Sequence, residues 1–206
     1  MTLAIFLFPA MGGAAFGYDI GSSSGALVSL TDPHTSGTDW YNLSASEMGV
    51  FVSMSLFGAL AGSAAALVAG DRLGRRGELQ LAAVLYLAGA LGGAAAPSYA
   101  ALLAARGAYG LGIGFAMHAA PAYIAEAAAP SVRGTLIALK EALIVTGVLL
   151  GYVGGYVTVG AEGGWRMALG APAALAVALL LGMTWLPESP RWLLLVRSIE
   201  QGGRHC

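Results

Sequence analysis

The stretch that decides the fold is Asp71-Arg72-Leu73-Gly74-Arg75-Arg76, a short charged sequence between two long apolar segments. Most of the chain is uncharged: charged residues make up 10% of it and hydrophobic residues 57%, and its mean hydropathy is +0.73. An ordinary soluble domain has about 25% charged residues. The sequence therefore predicts a polytopic membrane protein. Its net charge of -1 gives no electrostatic basis for binding nucleic acid.

Six windows are long and apolar enough to cross a bilayer, which takes about 20 mostly apolar residues in a helix. These windows lie near residues 3–30, 47–69, 78–96, 98–124, 134–159 and 165–186. The first and fourth each contain one charge, and an arginine cluster or an Arg-Gly pair borders the second and fifth. Weak internal symmetry of this kind is typical of secondary transporters. We therefore predict an all-α membrane protein whose six transmembrane helices form a 3+3 inverted repeat.

The distribution of arginine predicts the orientation in the membrane. The connections after the second, fourth and sixth windows carry Arg72, Arg75, Arg76, Arg133, Arg191, Arg197 and Arg204, whereas the opposite connections carry only Arg166. Basic residues favour the cytoplasmic side, so both ends of the chain are expected there. The sequence is compatible with an integral, multi-pass protein of a vacuolar, plastid or plasma membrane.

Two charges lie inside apolar windows, where they are costly. Asp19 follows Phe16-Gly17-Tyr18, and Arg106 begins a glycine-rich run. A carboxylate at the bilayer centre costs on the order of 3 kcal/mol on insertion scales, so the two charges are expected to meet. The pair has two interpretations. It is either a fixed structural ion pair or a proton switch that loosens the two helices when Asp19 is protonated.

Glu141 is a second acid within an apolar window, about two turns into the fifth. Its carboxylate would accept hydrogen bonds from hydroxyl groups in a central cavity. The structural alternative is an ion pair with neighbouring Lys140 or with Arg133.

One short stretch of the sequence matches a motif that is typical of enzymes. Gly21-Ser22-Ser23-Ser24-Gly25 matches the nucleophile-elbow pattern of serine hydrolases, with His118 as the available base. That elbow requires a turn from a strand into a helix, and the first window offers no strand. We therefore predict that the protein is not an enzyme.

Several motifs occur together in one order along the chain. They are Phe16-Gly17-Tyr18-Asp19, the stretch 71–76, the glycine run after Arg106, Pro121-Ala122-Tyr123-Ile124-Ala125-Glu126, Pro130-Ser131-Val132-Arg133-Gly134 and Pro187-Glu188-Ser189-Pro190-Arg191-Trp192. In this order they resemble the sugar porter family of the major facilitator superfamily. Leu139-Lys140-Glu141 and Gly163-Gly164-Trp165-Arg166 look most like plant vacuolar glucose transporters and D-xylose–proton symporter-like proteins.

The resemblance implies half of a twelve-helix fold. Residues 1–190 match the amino-terminal six-helix bundle, and residues 191–206 fall where the central cytoplasmic loop begins. The carboxyl-terminal bundle is therefore expected to be missing from this chain, as a fragment or as a natural truncation.

The resemblance also implies a function and a set of site residues. The expected activity is transport of a monosaccharide, a hexose or a pentose, by proton-coupled symport. Protons are the coupling ion and no cofactor is expected. Asp19 and Arg106 match the proton-coupling pair, and Phe16 and Glu141 match sugar-binding positions. Glu141 is a departure, because many family members have a glutamine there and a carboxylate only accepts hydrogen bonds.

A cytoplasmic charge network is implied by the same resemblance. Its members are Asp71, Arg72, Arg75, Arg76, Glu126, Arg133, Glu188 and Arg191. The network resembles a latch between the two bundles that biases a two-state rocking motion. The expected partners are the monosaccharide, the lipid bilayer and the carboxyl-terminal bundle.

Two alternatives to symport remain open at this point. One is a sugar facilitator without proton coupling. The other is a truncated, non-transporting subunit that associates with a full-length carrier.

Overall fold

The computed structural model describes residues 2–189 and 191–193, apart from the side chains of residues 2–5 and 71. The described chain is helical, with turns and loops between the helices. The helices are α1 (Thr2–Thr31), α2 (Ala45–Ala94), α3 (Tyr99–Ala127), α4 (Arg133–Thr158), α5 (Gly164–Gly170) and α6 (Ala173–Trp185).

Five helical stretches of the described chain are long and apolar enough to cross a membrane. They are Ala45–Gly70 and Arg72–Ala94, which are the two halves of α2, together with Tyr99–Ala127, Arg133–Thr158 and Gly164–Trp185. The 30-residue helix α1 occupies the first predicted window. At a rise of 1.5 Å per residue it also exceeds the thickness of a bilayer core. The six windows predicted from the sequence therefore coincide with six helical stretches.

The structure corrects two boundaries. The charged stretch 71–76 was expected as a loop, but helix α2 continues through it except at Gly74, whose φ of 73° and ψ of 163° lie outside the helical region. Only glycine adopts such a backbone without strain. The sixth window is divided into α5 and α6 near Pro172, because proline lacks the backbone N–H that a continuous helix would use.

Two seams of small residues hold the bundle together. On α1 and α4, glycines recur every fourth residue at Gly13, Gly17, Gly21, Gly25, and at Gly147, Gly151, Gly155. A Cβ atom on Gly17 would overlap the Ile144 carbonyl, and one on Gly151 would overlap the Tyr18 carbonyl. Residues four apart lie on one face of a helix, so the glycines allow the two backbones to touch.

The second seam joins the first half of α2 to α3. Gly58 and Gly62 face Gly110 and Leu111, and the backbones are again too close for a side chain between them. In the order of the six spans, the first seam joins spans one and five, and the second joins spans two and four. An inverted repeat relates span one to span four, span two to span five and span three to span six. The seam between spans one and five then corresponds to the seam between spans four and two. The predicted 3+3 inverted repeat is confirmed by this packing.

Hydrogen bonds and rings close the end of the bundle opposite the charged stretch. The Trp165 Nε1–H donates to the Ser36 carbonyl at 2.8 Å, and Nη1 of Arg166 donates to the Ala94 and Ala96 carbonyls. The Trp40 ring packs edge-on against the Trp165 ring, with centroids 5.7 Å apart. Arg166, the lone basic residue predicted on this side, therefore ties the second half of α2 to α5.

Candidate functional site

Asp19 and Arg106 lie in contact in the interior of the bundle. Nη1 of Arg106 is 3.1 Å from Oδ1 of Asp19, and the two side chains are only 4% and 9% exposed, respectively. Helix α1 supplies the acid and α3 supplies the base. The meeting of these two charges, expected from the cost of placing either one alone in lipid, is therefore observed.

Arg106 also binds groups other than Asp19. Its Nε–H donates to the Phe51 carbonyl at 2.8 Å, and Nη2 donates to Oγ of Ser23 at 2.9 Å and to Oγ of Ser55 at 3.1 Å. The guanidinium carbon lies 4.4 Å from the centre of the Phe51 ring, a favourable cation–π distance. Arg106 therefore connects α1, which carries Asp19 and Ser23, to α2, which carries Phe51 and Ser55.

Two tyrosines fix α1 near this ion pair. The hydroxyl of Tyr109 donates to the Ala15 carbonyl at 2.9 Å, and that of Tyr86 donates to the Gly12 carbonyl at 3.0 Å. A cavity of about 10 Å³ is lined by Asp19, Arg106, Tyr109 and others. This volume accommodates about one water molecule beside the carboxylate.

The two expected sugar-binding residues, Phe16 and Glu141, differ in how far they are buried. Phe16 is half-buried and packs against the main hydrophobic core. Glu141 is 61% exposed on α4, and its Oε1 lies 2.7 Å from Nζ of the buried Lys140. The ion pair with Lys140, which the sequence allowed as an alternative, is therefore present. Because Glu141 remains exposed, the same carboxylate stays accessible to a ligand.

A cluster of charges lies at the other candidate site, where the α2 kink meets the end of α3 and the segment after α6. We call this the arginine-rich end. The Arg76 backbone N–H donates to Oε1 of Glu188 at 3.0 Å, and the Arg76 Nε–H donates to the Met183 carbonyl at 2.9 Å. Oγ of Ser189 donates to Oε2 of Glu126 at 2.5 Å. These contacts tie three parts of the chain together.

The structure accounts for most members of the predicted charge network. Arg75, Arg76, Glu126 and Glu188 take part in the cluster. Arg133 and Arg191 line an open pocket of about 450 Å³ beside Glu126, and Arg72 is exposed. The Asp71 side chain lies outside the described residues.

Two members of the cluster were missed from the sequence. Glu78 is completely buried, with Oε1 3.0 Å from Nη1 of Arg75 and Oε2 2.7 Å from Nδ1 of His118. The signal for Glu78 was a carboxylate at the very start of an apolar window. His118 is 40 residues farther along the chain, and no sequence pattern around it indicated that Glu78 is its partner.

Among the described side chains, no three His, Cys, Asp or Glu residues gather as a metal site requires.

Gly74 has the backbone conformation of the α2 kink and also leaves room for the Glu188 carboxylate. A Cβ atom on Gly74 would lie 2.8 Å from the Glu188 carboxylate, and the backbone there is left-handed. We expect Gly74→Ala to destabilise the protein by about 1–3 kcal/mol, because a residue with a Cβ atom is strained at this φ and ψ, and further by displacing Glu188. Thermal unfolding in detergent measures this loss.

Gly77→Ala is the matched control for this prediction. Gly77 lies one turn beyond the kink, and its nearest neighbour would be Cβ of Leu73 at 3.5 Å, an ordinary contact. Alanine favours helix over glycine, so this variant should melt at or above the parent temperature. Equal melting of the two variants would show that the kink does not require glycine.

The whole bundle matches structures of known transporters. A partially occluded, inward-open structure of the xylose transporter XylE from E. coli superposes with a TM-score of 0.84 at 30% identity, covering 97% of this chain and 53% of that one. The XylE structure with bound 6-bromo-6-deoxy-D-glucose, described as a proton:xylose symporter, gives a TM-score of 0.82 over 94% and 46% of the two chains. The fold is therefore one six-helix half of a major facilitator superfamily transporter.

The family follows from the sequence matches. The family described as "Sugar (and other) transporter" matches residues 5–205, and the chain belongs to it. It is 53% identical over 198 residues to D-xylose-proton symporter-like 2 of Arabidopsis thaliana, covering 96% of this chain and 39% of that protein. It is 39% identical to the D-xylose transporter of Levilactobacillus brevis, covering 98% and 42%.

These matches confirm the predicted family and fold class. They also show that the chain spans about two fifths of the length of these relatives. The family is one of membrane sugar transporters rather than enzymes.

Proposed function

We propose that this chain is the amino-terminal bundle of a proton-coupled monosaccharide symporter that carries a hexose or a pentose by alternating access. The observation that carries this proposal is the buried Asp19–Arg106 ion pair. Similar proteins named as proton symporters for xylose support the coupling ion and the substrate class. The carboxyl-terminal bundle would complete the sugar site between the two halves, near the bilayer midplane.

Protonation of Asp19 would act on α1 selectively. When Asp19 is ionised, Arg106 holds α1 through the carboxylate and Oγ of Ser23. When Asp19 is neutral, Arg106 keeps its bonds to the Phe51 carbonyl and to Ser55, both on α2, and keeps only the Ser23 bond on α1. Loss of the charge attraction therefore weakens the tie to α1 while the tie to α2 remains. This difference in contacts between two states is what couples a ligand to a conformational change.

The sugar site would connect to the same helix. Helix α1 carries Phe16 one turn before Asp19, and it packs along α4, which carries Lys140 and Glu141. The Glu141 carboxylate accepts hydroxyl hydrogen bonds, and the Lys140 ammonium donates them. Together the two side chains supply the donor and acceptor that an amide would supply alone.

The arginine-rich end would face the cytoplasm, with both ends of the chain on that side. The arginine bias of the connections supports this orientation. The charge cluster would then act as a latch that is closed while the cytoplasmic side is closed.

The proposal is tested with the bundle joined to its carboxyl-terminal half and reconstituted in lipid vesicles. Addition of D-xylose or D-glucose should cause uptake of labelled sugar together with alkalinisation of the outer medium, and a protonophore should abolish accumulation. Sugar uptake without alkalinisation would overturn the coupling and indicate a facilitator. If the 206-residue chain by itself gave no flux and co-purified with a twelve-helix carrier, it would be a subunit instead.

A further inference from the structure

Two arginines at the arginine-rich end line a pocket that has no role in the proposed coupling step. The pocket has a volume of about 450 Å³ and is lined by Ala122, Ala125, Glu126, Arg133 and Arg191. The first three of these residues lie near the end of α3, Arg133 begins α4, and Arg191 follows α6. We call this the α3–α4 pocket. Its volume lies within the range of about 300–1,000 Å³ that is usual for small-molecule sites.

The two guanidinium groups of this pocket are unpaired within the part of the chain that the structure describes. Both side chains are exposed. Neither Arg133 nor Arg191 forms a side-chain hydrogen bond or an ion pair with another described residue. Their donors are therefore available to a ligand that enters the pocket.

The nearby carboxylates are already bound to other groups. Oε2 of Glu126 accepts a hydrogen bond from Oγ of Ser189 at 2.5 Å, and Oε1 of Glu126 lies 3.8 Å from Nε of Arg75. The other carboxylates described at this end also have partners, which are the Arg76 backbone N–H for Glu188, and Arg75 with His118 for Glu78. The pocket thus has two positive charges against one carboxylate, and that carboxylate is shared with a third arginine.

We propose that the α3–α4 pocket binds a phosphate group, held between the guanidinium groups of Arg133 and Arg191. The phosphate group belongs either to a soluble phosphate or to a lipid headgroup, because the two present the same oxygens and the same charge to the arginines.

The chemistry of the lining favours phosphate over a carboxylate. A guanidinium group forms two parallel hydrogen bonds to the oxygens of a phosphate, and a tetrahedral group has separate edges for two such partners. A phosphate monoester carries a charge of about -1.5 to -2 near neutral pH, which balances two guanidinium groups. A single carboxylate would leave one of the two positive charges without a partner.

A use for this site rests on the proposed function. Arg133 and Arg191 are members of the predicted charge network, which is proposed to act as a latch on the cytoplasmic side. A bound phosphate would neutralise both arginines and remove them from the latch. Phosphate in the cytoplasm would therefore shift the carrier toward the state in which the latch is open.

Phosphate binding is measured by ³¹P NMR with the 206-residue chain in detergent micelles. The probe is inorganic phosphate, titrated at neutral pH and at constant ionic strength, because salt screens exposed charges. We expect saturable broadening of the phosphate signal. Arg133→Gln and Arg191→Gln should each weaken binding by about tenfold or more, as expected for the loss of a hydrogen-bonded charge.

Arg72→Gln is the matched control for these two variants. Arg72 is an exposed arginine at the same end of the bundle, but it does not line the pocket. Its replacement changes the net charge by the same amount and should leave phosphate binding unchanged. Because Arg133 and Arg191 have no partner among the described residues, both pocket variants should unfold at the parent temperature.

The absence of saturable binding by the parent chain overturns the proposal, and this outcome does not require any variant to fold. Binding that survives either pocket variant also overturns it, as does an equal loss of binding in Arg72→Gln. Since no transport is measured, failure of this test is distinct from failure of the proposed function.

Phosphatidic acid distinguishes the two sources of the phosphate group. It is added to the micelles with bound inorganic phosphate, and phosphatidylcholine is added to a parallel sample. Displacement of inorganic phosphate by phosphatidic acid alone assigns the site to a lipid headgroup, whereas retention in both samples assigns it to soluble phosphate. Either result supports a phosphate site in the α3–α4 pocket.

Discussion

Replacement of Asp19 by asparagine in the complete carrier is expected to abolish uphill sugar accumulation while sparing sugar exchange. Asparagine cannot take up or release a proton, so the proton gradient no longer acts on α1. Exchange of sugar across equal concentrations needs no net proton movement, and Arg106 keeps its bonds to Phe51, Ser23 and Ser55. Proton-driven accumulation and counterflow of labelled sugar, measured in the same vesicles, separate the two activities.

Asp39→Asn is the matched control for this result. Asp39 is an exposed acid in the loop between α1 and α2, so its replacement should change neither activity. Intact accumulation in Asp19→Asn would exclude this residue as the coupling group. Loss of both activities in a protein that still folds would show instead that the ion pair is needed for the transport cycle as a whole.

The second large effect is expected at the seam between α1 and α4. A single methyl group on Gly17 would overlap the backbone carbonyl of Ile144, and a backbone cannot move aside as a flexible side chain can. Gly17→Ala should therefore destabilise the bundle by about 3 kcal/mol or more, at the upper end for point mutations. A fall in the thermal unfolding midpoint in detergent, with a smaller monodisperse fraction, measures the effect.

Gly49→Ala controls for the general effect of replacing glycine in a helix. Nothing lies within 4 Å of a Cβ atom at Gly49, in the first turns of α2. Alanine there should be neutral or stabilise by up to about 1 kcal/mol. If Gly17→Ala and Gly49→Ala unfolded at the same temperature, close backbone contact would not be what holds these helices together.

The sequence predicted the features that follow from the free-energy cost of placing a charge in lipid. Six apolar windows, and the meeting of Asp19 with Arg106, follow from that cost alone, and the structure contains both. The glycine run after Arg106 was visible in the sequence, and the structure shows that Gly110 lets another helix cross closely. Its partner, the first half of α2 with Gly58 and Gly62, required the three-dimensional arrangement.

Other features could not be read from local pattern. The stretch 71–76 has the composition of a loop, yet one left-handed glycine is enough to redirect a continuing helix. Glu78 looked like the polar edge of a window, and His118 had only the rejected role of a hydrolase base. Their pairing depends on how α2 packs on α3, a contact that spans 40 residues of sequence.

The arrangement of the glycine seams has a consequence for biosynthesis. Each seam joins a helix from the first three spans to a helix from the last three, so neither trio buries its own best contact surface. Helix α1 leaves the ribosome well before α4, its main neighbour, has been made. During translation, α1 therefore lacks its main contact surface until α4 has been made.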